Sequence, residues 1–144
     1  MASHTFSMEK ILGWRFDQED EARLQVANLK EKWDRENQHL QSLIQENIKV
    51  KNDNLKNTHI QTLRYNDYYK MVIDEKIIQQ KNLMDATQAQ ISKANEQLLE
   101  AHKNRKAMEK LKEKELTAAE EELKRIEQMQ LDEFATMSYK QRAL

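Results

Sequence analysis

The chain has 144 residues, no proline, no cysteine and a single glycine, Gly13, so nothing in its composition divides it into several compact domains. Apolar residues make up 38% of it and charged residues 34%, with a mean hydropathy of −1.00, which leaves too little apolar side chain for a rounded core of this length. Basic and acidic residues number 24 and 25 and are interleaved to a net charge of −1, a balance that argues against nucleic acid as a partner.

The N-terminal stretch from Met1 to Phe16 mixes Glu9, Lys10 and Arg15 among its apolar residues and lacks the continuous apolar run of a signal peptide. No span approaches transmembrane length. The lack of cysteine removes disulfides and thiolate metal sites and is compatible with a reducing cytosol.

Glu, Lys, Gln, Leu and Ala lose little rotamer freedom in a helix and fill much of the chain, so helix is expected almost throughout. From Met8 onward apolar residues recur in steps of four and three: Leu12, Ala22, Val26, Leu29, Trp33, Leu40, Leu43 and Val50. This heptad seam predicts a first helix over about 5–54. The same register places Arg15, Glu19, Glu36 and Asn47 at seam positions. Ile44, Ile48 and Leu55 follow a register moved over by one, so the seam drifts toward its distal end.

A turn is expected over about 52–60, where Asn52, Asp53, Asn54 and Asn57 carry short polar side chains that compete for backbone hydrogen bonds. Thr58 with Gln61 three residues on reads as a capping box opening the second helix. That helix is expected over about 60–141, with Ile77, Met84, Ile91 and Leu98 at successive spacings of seven and then Leu116, Ala119, Leu123 and Ile126. A register slip falls between the two sets, at Lys103 to Lys114, where six basic residues occupy twelve positions. This stretch is expected to be solvated on most faces.

The expected fold is all-α: one domain formed by a long antiparallel two-helix coiled-coil hairpin with a longer, overhanging second helix. The alternative is one continuous helix whose seams pair between molecules. At ~1.5 Å per residue the helices would span roughly 75 Å and 120 Å. The second would therefore extend unpaired from about Leu111, carrying Leu116, Leu123, Ile126, Met129, Phe134 and Met137 as a partner surface.

Chemistry finds little purchase in this sequence. His4, His39, His59 and His102 are scattered without ligand spacing, so no metal site is expected. A single glycine rules out phosphate-cradling loops of the GxxxxGK[ST] or GxGxxG kind, and two packed helices leave no water-excluding pocket for acid–base work. Neither catalysis nor a cofactor is expected. Trp33 is read as filling the seam. Trp14 and Phe16, about 200° apart around a helix, cannot both face it, so one points outward. Tyr65, Tyr68 and Tyr69, with Val72, Ile73 and Ile77, exceed what a narrow stripe hides; they read equally as a partner surface or as packing near the turn.

Three segments carry a family resemblance. Leu131-Asp132-Glu133-Phe134-Ala135, followed by Lys140 and Arg142, looks like the terminal motif of the flagellar export protein FliJ family; Phe6-x-Met8-Glu9-Lys10-Ile11-Leu12 is similar to its opening; and Tyr65-Asn66-Asp67-Tyr68-Tyr69 resembles the start of its second helix. The resemblance covers essentially the whole chain. It implies a stalk-like hairpin, similar to the central stalk of rotary ATPases, set in the pore of the hexameric flagellar export ATPase. Its other implied partners are the cytoplasmic domain of the membrane export gate and export chaperones that it helps recycle. The location would be cytoplasmic, at the membrane face of the flagellar base. The gate-binding face falls by position on Tyr69, Ile73, Lys76 and Gln80, of which Lys76 and Gln80 depart from the family's residues. ATPase contact falls on Phe6 and Ile11 at one end of the chain and Leu131, Asp132 and Phe134 at the other. Rival readings are a structural spacer or homodimer, and the equivalent stalk protein of a virulence type III secretion system.

Overall fold

The computed structural model describes residues 5–56 and 59–143. With helix formers at nearly every position, these residues form two helices, α1 (Glu9–Lys56) and α2 (Ile60–Ala143), and no strand is present among them. Gly13 is helical with ordinary negative φ, and a Cβ there would meet no atom within 4 Å. The helices pack against each other antiparallel, so the chain is an all-α helical hairpin. Its contacts divide into two compact units, one of residues 20–99 and one of residues 1–19 with 100–144.

The unit of residues 20–99 is the apolar one. Val26, Leu40, Leu43 and Val50 of α1 are buried, as are Ile73, Met84, Ile91 and Ala94 of α2. Leu29 and Trp33 are half-buried, Trp33 lining a shallow groove beside Ile91. The heptad count in α1 therefore describes the buried face. In α2 the residues at spacings of seven are only half of the seam. The other half is Ile73, Gln80, Thr87 and Ala94, whose two polar members escape a count of apolar residues.

Those polar members are satisfied. The Thr87 hydroxyl, 1% exposed, lies 2.8 and 2.9 Å from the two carboxylate oxygens of buried Glu36, and Gln80 Nε2 donates to the Glu36 carbonyl at 2.8 Å. Nearer the turn, Asn47 Nδ2 donates to Asp74 Oδ1 at 2.9 Å and Asn54 Nδ2 to Asp67 Oδ1 at 3.3 Å. The expected drift does not occur: Asn47, Val50 and Asn54 continue the original register against α2, held by these polar rungs, and Ile48 and Leu55 are left exposed.

The turn is tighter than the sequence suggests. Asn52, Asp53 and Asn54 stay within α1, which runs to Lys56. Asn54 shows the reason: its amide, free to compete for backbone groups in a turn, is engaged by a carboxylate of α2. Asn57 and Thr58 lie outside the described residues, and the expected capping box with them. The first turn of α2 is closed by the Leu63 N–H donating to the His59 carbonyl at 3.0 Å.

In the other unit, Phe6 and Leu12 are buried, while Met108, Leu116 and Ala119 are half-buried. The stretch 103–114 is solvated on most faces, as expected: seven of its twelve residues are exposed and none is buried, and its inward face is closed by a cation. The Arg105 side chain is only 13% exposed. Its guanidinium donates to Glu19, lies 5.1 Å over the Phe16 ring and pairs with Glu109 at 2.7 Å. The register slip is thus bridged by a cation whose long stem fills the seam and whose head finds an acid on the opposing helix. Trp14 and Phe16 are both substantially exposed, each beneath a guanidinium; Arg15 lies 4.6 Å from the Trp14 ring.

Cover over α2 persists past Leu111. Phe6 and Ser7 precede α1 yet lie along α2, where the Ser7 N–H donates to Glu115 Oε2 at 3.1 Å, and Lys112 pairs with Glu9 at 3.1 Å. Only from Glu120 to Arg142 is every residue except Ser138 exposed. The uncovered end thus begins about nine residues later than helix lengths alone suggest, because non-helical chain ahead of α1 adds to the cover.

Candidate functional site

Two surfaces collect the apolar and aromatic side chains that the hairpin does not bury. The first is the uncovered end of α2. Leu123 and Phe134 are eleven residues apart, as are Ile126 and Met137, and eleven residues are close to three full helical turns. The four therefore share one stripe, in line with half-buried Leu116 and Ala119. All four are exposed, Phe134 at 72%. A helix hidden by nothing and carrying such a stripe loses the packing that ordinarily sustains an amphipathic helix, so the stripe is suited to another protein surface.

Of the residues assigned to ATPase contact, Phe134 is on this stripe. Leu131 is exposed to one side of it, and Asp132 faces away, its carboxylate accepting from Gln128 Nε2 at 3.0 Å and its carbonyl from Thr136 Oγ1 at 2.9 Å. Ile11 is exposed on α1. Phe6, at 6% exposure, is buried, beside Ser7, whose N–H donates to Glu115 of α2.

The second surface opens α2. The Tyr65 and Tyr69 rings stack at 6.4 Å, nearly parallel, and the Tyr69 hydroxyl donates to Glu46, whose carboxylate raises the phenol pKa above its ordinary value. Tyr65 and Tyr68 are largely exposed. The four residues assigned to the gate do not lie on one exposed face. Tyr69 is half-buried at the rim and Lys76 is exposed, but Ile73 at 1% and Gln80 at 9% belong to the seam. Met71 and Ile78 are further exposed apolar residues on the side of α2 away from α1; in the sequence their only signal is that this segment has more apolar residues than one stripe accommodates.

Ionisable groups serve packing. The Arg105 guanidinium, with His102 Nδ1 at 2.9 Å from the other carboxylate oxygen, holds the buried Glu19 carboxyl below the usual carboxylate range. Among the described residues no cluster of His, Asp and Glu is arranged to hold a metal, and His4 lies outside them. No described helix is long and apolar enough to cross a membrane.

Each of the two surfaces leaves apolar or aromatic side chains exposed to solvent. The model of one family, the flagellar FliJ protein, matches residues 4–144. The chain belongs to that family and is thus a structural component of the flagellar export apparatus. Comparison with curated proteins and with solved structures found no match.

Proposed function

We propose that this chain is a stalk-like coupling element of the flagellar export machinery, engaging the hexameric export ATPase through the uncovered end of α2 and the start of α1, and the export gate through the opening of α2. The observation that carries this reading is the stripe of Leu123, Ile126, Phe134 and Met137, exposed on a helix that α1 and the preceding segment leave uncovered. Family membership supplies the machinery in which such a stripe finds a partner. Export chaperones, recycled by contact with the same hairpin, complete its partners, and its place of work is the cytoplasmic face of the membrane at the flagellar base. The chain itself carries out no chemistry; ATP hydrolysis belongs to the ring.

In this reading Phe134 and Ile11 touch the ATPase directly, Leu131 and Asp132 flank that contact, and Phe6 sustains it by packing. Tyr69 and Lys76 offer the gate a rim, and Ile73 and Gln80 act beneath it by fixing how α2 lies on α1. Capture by the assembled hexamer tests the ATPase contact. Wild type is expected to be retained stoichiometrically and Phe134→Ala weakly. Failure of an intact ring to retain wild type would refute it and favour a plain spacer or homodimer.

A further inference from the structure

Beside the seam, the sign of charge on α2 changes where the cover ends. Under the start of α1, α2 presents cations to carboxylates: Arg105 to Glu19 and Lys112 to Glu9. Beyond residue 120 the borders of the stripe are acidic. At about 100° per residue, Glu120 and Glu127 fall on one edge and Glu122 and Glu133 on the other, all within about 80° of the stripe's centre. Lys140 is the one cation on either edge, whereas Lys124, Arg125 and Arg142 stand about 120° or more from the centre. Glu122 is paired with Arg125 at 2.7 Å, while Glu120, Glu127 and Glu133 form no ion pair among the described residues.

Charges bordering an apolar helical seam choose partners, because like charges brought together across it are repelled and opposite charges are drawn in. We propose that the uncovered end of α2 recognises an apolar protein surface bordered by lysine or arginine, and that its carboxylates oppose pairing with a second copy of itself. Two copies, in either orientation, would set carboxylate edges against carboxylate edges. An anionic membrane would be repelled for the same reason. The proposal rests on the stripe being a binding surface, and adds to the proposed function the chemistry the partner must present.

The test uses the full chain and two synthetic amphipathic helices with the same apolar stripe, one edged with lysine and one with glutamate. Affinities are measured by fluorescence anisotropy at low ionic strength. Wild type is expected to bind the lysine-edged peptide at least about tenfold more tightly. In the triple variant Glu120→Lys, Glu127→Lys, Glu133→Lys, verified as helical by circular dichroism, the preference is expected to invert. Equal affinity for the two peptides overturns the proposal, and so does a preference that survives the charge reversal, since the attraction would then lie elsewhere in the chain. The peptides decide this inference alone. Failure of the ATPase ring to capture the chain would remove the ATPase reading and leave the peptide result standing.

Discussion

Thr87 and Glu36 place a hydroxyl and a carboxylate in the most buried part of the 20–99 unit. Replacing Thr87 by Val keeps the shape and removes the donor, leaving the carboxylate without that partner. A loss of about 1–3 kcal/mol in urea denaturation is expected, largely restored when Glu36→Leu is added, because two apolar groups leave nothing unsatisfied. Gly13 offers the opposite case. It is helical and exposed with open space at Cβ, so Gly13→Ala is expected to raise stability by about 0.5–1 kcal/mol in the same assay. Glu19 brings in pH. Its folded pKa is lowered, chiefly by the hydrogen bond from Arg105, so its contribution is complete above the ordinary glutamate value of about 4.3 and is lost as pH falls through the folded value. The stability gap between wild type and Glu19→Gln should therefore be widest near neutrality and narrow on acidification below about pH 4; a constant gap would contradict the pairing. The burial of Glu19 and Glu36 was legible in the sequence, since the heptad register of α1 demanded them. Their partners were not: Thr87 and Arg105 sit at seam positions that no apolar count reaches, and only the opposing helix explains them.

Within α2, residues three apart have opposite fates. Ile73 is enclosed by the seam and Lys76 is in solvent. Ile73→Ala is expected to cost about 2–4 kcal/mol in chemical denaturation, whereas Lys76→Ala should stay within about 0.5 kcal/mol. The pair separates two roles in gate binding. Loss of binding in Lys76→Ala with unchanged stability marks a direct contact, while loss in Ile73→Ala that tracks its lowered stability marks support from beneath. The two helices themselves were legible, because a seam of Leu, Val and Ile at heptad spacing has few other uses in a chain without glycine-rich or proline-rich punctuation. The end of α1 was less so. Local propensity favoured a turn at Asn52 to Asn54, but the hydrogen bond from Asn54 to Asp67 is non-local and overrides it.

At the scale of the whole molecule, the uncovered end of α2 follows from unequal helices, 48 residues against 84, and its existence could be inferred from their lengths. Its boundary could not, because the cover added by Phe6 and Ser7 comes from a segment without helical periodicity. Amides are protected from exchange by burial and packing, so in the free chain residues 120–142 should exchange well before the seam around Ile73 to Ala94. If a partner sits on this end, hydrogen–deuterium exchange with and without the assembled export ATPase will register it. New protection is expected in residues 120–142 and at the start of α1, weakened in Phe134→Ala. Binding that leaves exchange across 120–142 unchanged would contradict a partner site at this end.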